Sequence, residues 1–141
     1  MKIDQNRFNH AVALFDALNR EDPNREFING KEEPKALLYA QRVTTMLKSY
    51  VSNPSEILQL AARCQHIQRW KIERKSFPMT RSGYHQWRIS LRELHAKTAE
   101  TILRRVGYEE NIIDHVCALV KKEGLKTNIE SQALEDVVVL V

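Results

Sequence analysis

The stretch that decides the fold is Arg81–Tyr108, "RSGYHQWRISLRELHAKTAETILRRVGY". Its residues on one helical side stand at i, i+3, i+7 and i+11, namely Tyr84, Trp87, Leu91 and His95. This spacing predicts one long α-helix. Gly107 is expected to end that helix, because glycine readily adopts the left-handed conformation found just after helix C-termini.

Helical patterns also occur on both sides of this stretch. The other helices are expected over 6–20, 34–50, 54–66, 109–124 and 128–141, with Ser52 or Asn53 capping the third. Residues 21–34, "EDPNREFINGKEEP", are interpreted as a polar loop, and we find no alternating strand pattern of useful length. We therefore predict an all-α fold of about six helices. It forms one domain over residues 1–141, with an N-terminal helix and loop over 1–33 and the core helices from about residue 34 onward.

Composition limits the class of protein. The 141 residues are 43% hydrophobic and 28% charged, as in a folded globular chain, and the formal charge is +4 at pH 7. That charge permits phosphate or nucleic-acid partners without requiring them. The N-terminus lacks the apolar segment of a signal peptide. Cys64 and Cys117 have no metal-binding spacing and lie in apolar stretches, which suits a reducing cytoplasm.

Several polar residues interrupt apolar helix faces, where burial costs free energy unless a partner is present. They are Tyr39, Gln65, His66, His95, Lys122, Glu135 and Asp136. If the helices bring His66, His95 and Asp136 together, these side chains suit a divalent cation. Taken singly, each histidine is more often a hydrogen-bonded or surface residue than a ligand.

A second cluster combines arginines with aromatic residues on either side of Pro78. Its members are Arg69, Trp70, Arg74, Arg81, Tyr84, Trp87 and Arg88. Arginine binds phosphate with two parallel hydrogen bonds, and aromatic faces stack on bases, so we predict an anionic ligand pocket. The N-terminus of the long helix would add free backbone N–H groups. The alternative is that both tryptophans are core anchors and the arginines lie over them.

Parts of the sequence resemble known families. "LLYAQRVTTMLKSYVSNPSEILQLAARCQHIQRW", "HAKTAETILRRVGYEENIIDHVCALVKKE" and "LEDVVVLV" resemble successive segments of the HD-type metal phosphohydrolases, over about residues 34 to 141. More narrowly, "QHIQRW", "R-x-G-Y-x-x-W-R", "HA" and "Q-x-LEDV" resemble the uncharacterised family called domain of unknown function 4202.

The HD resemblance implies an HD-like helical bundle and a metal centre, but ligand positions differ. Tyr39 stands at the first HD histidine, Gln65 and His66 stand at the histidine–aspartate pair, and Lys122 falls near a further histidine. The resemblance then implies one metal (Mn, Fe, Ni or Zn) held by His66, His95 and Asp136, with Gln65, Glu135 and Lys122 as catalytic residues. The alternative is a metal-free descendant in which Lys122 replaces the charge of the cation.

Three functions follow from these features. The first is a divalent-metal-dependent phosphohydrolase acting on a nucleotide or another phosphate ester. The second is a non-catalytic module that binds a nucleotide, another small phosphorylated ligand or RNA through the arginine and aromatic pocket. The third is an assembly protein that forms a homodimer through its apolar C-terminal run, "VVVLV".

Overall fold

The computed structural model describes residues 3–123 and 129–141, and the fold is predominantly α-helical, as predicted. The α-helices of this part of the chain are α1 (Gln5–Asn19), α2 (Lys35–Tyr50), α3 (Glu56–Arg63), α4 (Arg81–Val106), α5 (Glu110–Val120) and α6 (Ile129–Leu140). Short 3₁₀ turns occupy Arg69–Lys71 and Arg74–Ser76, between α3 and α4. None of the described helices has the length and apolar character needed to cross a lipid bilayer.

A β-hairpin lies where we predicted only a polar loop. Its strands are β1 (Arg25–Ile28) and β2 (Lys31–Pro34), paired antiparallel. The turn is Asn29–Gly30, and both residues have positive φ, 50° and 81°. Asparagine and glycine tolerate these angles, and such a pair is the preferred turn of a two-residue hairpin. Each strand has four residues, too few for an alternating pattern to stand out from a loop.

The helix ends follow local capping chemistry. The Ser55 side-chain oxygen accepts a hydrogen bond from the Leu58 backbone N–H at 3.1 Å, so Ser55 caps α3 and the predicted caps, Ser52 and Asn53, were wrong. The long helix α4 ends at Gly107 with φ 101°, and this end was predicted correctly. The predicted ends of the other helices differ from the observed ones by a few residues.

The core is built by all six α-helices of the described residues. α4 packs on α5 and on α1, while α3 packs on α2 and α5. The N-terminal helix, which the prediction listed apart from the core helices, buries Ala11 and Phe15 in this same cluster. At the other end of the chain, α6 buries Leu134 and Val137 in it.

A partly buried ion pair fixes the helices that precede the candidate site. Arg63, the last residue of α3, donates from Nε and Nη2 to the two carboxylate oxygens of Asp16 on α1, at 2.9 and 2.8 Å. Its Nη1 donates to the Thr44 hydroxyl on α2 at 3.1 Å. This two-point contact restricts orientation more than a single hydrogen bond does. It therefore sets where the chain leaves α3.

The start of α4 touches the preceding loop so closely that only glycine fits. A Cβ atom added at Gly83 would lie 2.0 Å from the carbonyl oxygen of Pro78. We expect Gly83→Ala to lower the free energy of unfolding by about 1–3 kcal/mol, because the loop or the helix must move away. Ser82→Ala, at the exposed neighbouring position, is the matched control. Urea unfolding of both variants checks this, and equal midpoints would contradict the close contact.

Candidate active site

Three rings meet where α2, α4 and the end of α3 converge. The ring of His66 stacks on that of Tyr39, with centroids 4.4 Å apart and planes 6° from parallel. The ring of His95, on α4, lies 5.7 Å from that of His66. Tyr39, His66 and His95, which the HD resemblance aligns with metal-site positions, are therefore neighbours in space.

His95 is held in one tautomer. Its Nδ1 lies 2.7 Å from the backbone carbonyl oxygen of Ile67. Because a carbonyl only accepts, Nδ1 carries the hydrogen and Nε2 of the neutral ring carries the lone pair. His95 is 3% exposed, and burial lowers its pKa to about 4. His66 has a pKa well below its usual value, through burial and then through the nearby Arg69. Both imidazoles are neutral at pH 7.

Cationic side chains surround these neutral rings. They enclose a small space of about 10 Å³, called here the inner compartment, which is lined by Gln65, His66, Arg69, Arg88, Leu91, Arg92, His95, Val120 and Lys122. Lys122 pairs with the Glu135 carboxylate. No carboxylate in the described part of the chain pairs with Arg69, Arg88 or Arg92. The compartment therefore holds more positive charge than the described protein groups balance.

Two buried polar atoms of the inner compartment lack a hydrogen-bond partner in the described structure. They are Oε1 of Gln65, a residue 2% exposed, and Nε of Arg92. Buried polar groups are normally paired, so such atoms point to a ligand. Arg92 was missed by the sequence analysis. The sequence could have indicated Arg92, because Arg88, Arg92 and His95 stand at i, i+4 and i+7 on one face of α4.

Backbone strain also occurs at this site. Gln68, just after the His66 turn, has φ 57°, and Lys122 has φ 62°. The other described non-glycine residues with positive φ are Asn29 and Asn53, and asparagine tolerates that region better than glutamine or lysine. Strained residues of this kind concentrate at functional sites, where surrounding contacts hold them.

An open cleft of about 590 Å³ adjoins the inner compartment, and His66 and Arg69 line both spaces. Its walls are Asp22, Asn24, Glu26, Lys35, Ala36, Tyr39, Arg42, His66, Arg69, Trp70, Ile72, Glu73, Arg74 and Trp87. Asp22, although buried, uses its carboxylate within the protein. It accepts hydrogen bonds from Asn24 and from the backbone N–H of Ala36, near the start of α2.

Two residues predicted to bind phosphate line the cleft but also hold its loop. Arg74 donates to the carbonyl oxygens of Pro78 at 3.0 Å and Phe77 at 3.3 Å, so its guanidinium is engaged. The indole N–H of Trp87 donates to the Ile72 carbonyl at 2.8 Å, and the Arg69 guanidinium lies 5.3 Å from its ring centroid. Arg69 remains available, because its contact is with a ring face and not with an anion.

Other predicted pocket residues lie outside both spaces. Arg81 is exposed, and Tyr84 packs against Trp87 and Arg74 at the surface. At the start of α4, the cap uses the backbone N–H of Gly83, one of the groups predicted to be free. The Thr80 hydroxyl and carbonyl accept from the N–H groups of Gly83 and of Tyr84.

Of the predicted metal ligands, the structure brings His66 and His95 together, whereas Asp136 is engaged elsewhere. The Asp136 carboxylate accepts from the Tyr50 hydroxyl at 3.0 Å and from the Gln132 amide at 2.8 Å. Nowhere in residues 3–123 and 129–141 do three His, Cys, Asp or Glu side chains form a group suited to a metal ion. Neutral His66 and His95 remain, but the cations around them oppose a second positive ion. These donors do not fit a divalent metal.

The fold and the site thus define a predominantly α-helical protein with a basic, histidine-containing compartment beside an open cleft. Residues 9–141 match the family described as "Domain of unknown function (DUF4202)", and the chain belongs to that family. Comparisons with curated proteins and with solved structures gave no match.

The two neutral histidines predict a pH dependence of stability. The unfolded chain protonates each histidine below about pH 6.5. The folded chain keeps His95 neutral down to about pH 4. The stability that comes from neutral His95 is therefore fully present above pH 6.5 and is lost as the pH falls toward 4, by about 1.4 kcal/mol per pH unit. The lowered pKa of His66 acts in the same direction.

His95→Gln tests this dependence, because glutamine retains a donor for the Ile67 carbonyl. We expect the slope of unfolding free energy against pH, between 6.5 and 4, to decrease by about 1.4 kcal/mol per unit. His85→Gln, at an exposed position on the same helix, controls for the loss of a surface imidazole. Urea unfolding at several pH values measures the slope. An unchanged slope in His95→Gln would show that His95 is not held neutral.

Proposed function

We propose that this chain binds a small phosphorylated ligand, a nucleotide above all, in the cleft, with the phosphate directed toward the inner compartment. The observation that supports this most is the set of three guanidinium groups, Arg69, Arg88 and Arg92, which has no carboxylate partner in the described residues.

The charges themselves argue for an anion. Burial and the nearby Arg88 lower the pKa of Arg69, which reports that its positive charge is disfavoured where it lies. Like charges repel more strongly where water is excluded. A bound phosphoryl group would offset the repulsion between these arginines, because each of its oxygens accepts hydrogen bonds and guanidinium matches its geometry. Arg69 lines both spaces, so it can hold a phosphate that reaches from one to the other.

Trp70 supports a ligand with a planar ring. It lines the cleft and is half-buried. Tyr39 is stacked on His66, and Trp87 faces Arg69 and Tyr84. No contact of the Trp70 ring with another ring or a cation occurs among the described residues. Its face is therefore suited to stack on a base, which contributes about 1–3 kcal/mol in nucleic-acid complexes.

Matched arginine variants test the proposal. We expect Arg69→Met and Arg88→Met each to weaken nucleotide binding by about 10–100-fold, because each removes a charged hydrogen-bond donor worth roughly 1.5–3 kcal/mol. Arg81→Met, at an exposed position outside both spaces, should leave the affinity unchanged. Calorimetric titration with a panel of nucleoside mono- and triphosphates, at two salt concentrations, measures these effects.

The same titrations separate the alternatives. If no nucleotide binds, or if all three variants bind like the wild type, the proposal fails. A mixed-sequence single-stranded RNA, titrated alongside, tests the other ligand named from the sequence. Binding of RNA alone, weakened equally by Arg81→Met and Arg69→Met, would indicate a diffuse basic surface and not this site.

The HD-type relationship and metal-dependent phosphohydrolase activity form a second proposal. Besides the sequence resemblance, it is supported by Tyr39, His66 and His95 lying side by side at the aligned positions. The donors do not fit a divalent metal, so we derive no catalytic step. Elemental analysis of protein purified without chelator, beside a His66→Ala/His95→Ala variant, tests it. Near-stoichiometric metal lost in the variant would support it, and absence of metal after loading would refute it.

Two further parts of the proposal concern assembly and location. The side chains of Val139, Leu140 and Val141 are exposed, whereas Val137 of the same helix is buried. Homodimerisation through the exposed residues remains a proposal that the solution mass tests. A cytoplasmic location is proposed because Cys64 and Cys117 are both free thiols, as a reducing compartment would keep them.

A further inference from the structure

The inner compartment presents two kinds of polar group. Arg88, Arg92 and Lys122 only donate hydrogen bonds. Oε1 of Gln65 only accepts, and it is buried without a partner in the described structure. Nε2 of His95 also accepts, because the bond from Nδ1 to the Ile67 carbonyl fixes the tautomer. With the Gln65 amide oriented as in the structure, a bare oxyanion would satisfy the cations but would leave both acceptors facing oxygen atoms that have no hydrogen.

A phosphoryl group that carries a hydroxyl satisfies both kinds of group. We infer that the inner compartment binds a protonated phosphoryl group, whose P–OH donates to Oε1 of Gln65 while its other oxygens accept from the arginines and Lys122. The inference rests on the proposed function and names the chemical form of the ligand. Its occupant is inorganic phosphate or the terminal group of a phosphomonoester.

The size of the compartment agrees with this occupant. A volume of about 10 Å³ accommodates roughly one oxygen-sized group. The hydroxyl oxygen occupies that space, and the phosphorus and remaining oxygens lie toward His66 and Arg69, where the compartment adjoins the cleft. A phosphodiester has no P–OH to donate to Oε1 of Gln65, so it is excluded.

Sulfate is the discriminating probe. It has nearly the same shape as phosphate but carries no hydrogen at pH 7, whereas inorganic phosphate carries at least one. A buried acceptor left against an oxyanion costs about the free energy of an unmade hydrogen bond, which corresponds to at least about tenfold in affinity. We therefore expect the full-length chain to bind inorganic phosphate at least about tenfold more tightly than sulfate, in calorimetric titrations at equal ionic strength.

Substitutions at Gln65 test whether its side-chain oxygen is the group that distinguishes phosphate from sulfate. Gln65→Met removes the acceptor at similar volume and should reduce the phosphate-to-sulfate ratio toward one. Gln65→Glu keeps an acceptor and should keep the ratio, although both anions bind more weakly beside the added negative charge. Because Gln65 is buried, far-ultraviolet circular dichroism first confirms folding. Arg92→Met, at a partly exposed position, should weaken both anions without changing the ratio.

Titration with adenosine monophosphate tests whether the bound phosphoryl group belongs to a phosphomonoester or to inorganic phosphate. Its phosphate is mostly a dianion at pH 7, with a second pKa of about 6, so binding in protonated form must take up about one proton. Titrations in buffers of different ionisation enthalpy measure that uptake. If only this ester binds, uptake of a proton supports the inference, and binding without uptake overturns it.

The remaining outcomes distinguish this inference from the proposed function. Equal affinities for phosphate and sulfate in the wild type would overturn the protonated-phosphoryl subsite. The cleft would then still bind nucleotides if Arg69→Met weakened that binding. Failure of phosphate, sulfate and every nucleotide to bind would overturn both.

Discussion

The hydrogen bond between His95 and the Ile67 carbonyl is the contact on which the rest of the site depends. It joins the middle of the longest helix to the turn that follows α3, and so places His66 between Tyr39 and His95. It also fixes which ring nitrogen of His95 carries the hydrogen. The Asp16–Arg63 ion pair fixes the other end of that turn, by holding the last residue of α3 against α1.

This arrangement surrounds neutral rings with cations. Burial keeps His66 and His95 unprotonated, so the positive charge near them belongs to the arginines and Lys122. Of these, Lys122 has a carboxylate partner, in Glu135. The unbalanced positive charge and the buried acceptors are the basis of our proposal that the site binds an anion that also carries a hydrogen.

The sequence predicted those features that depend on local chemistry. The extent of α4, its end at Gly107 and the proximity of Arg88 to His95 follow from helical spacing and from the conformations open to glycine. The hairpin was missed because four-residue strands give little pattern, although Asn29–Gly30 is a strong turn signal. Arg92 was missed although its spacing from Arg88 and His95 placed it on the same face.

Long-range packing decided what the sequence did not show. Nothing in the local pattern "LEDVVVLV" indicates that Asp136 bonds Tyr50, whereas Glu135 pairs with Lys122, because both contacts depend on how α6 lies against the rest of the chain. The local sequence also gave no sign that the Arg74 guanidinium donates to a backbone carbonyl of its own loop.

The most direct test of this account is nuclear magnetic resonance of the imidazole nitrogens in ¹⁵N-labelled protein at pH 7, with and without inorganic phosphate. We predict that His95 is neutral with hydrogen on Nδ1, that His66 is also neutral, and that phosphate shifts the Nε2 resonance of His95. An imidazolium at either position, hydrogen on Nε2 of His95, or no change at saturating phosphate would contradict it.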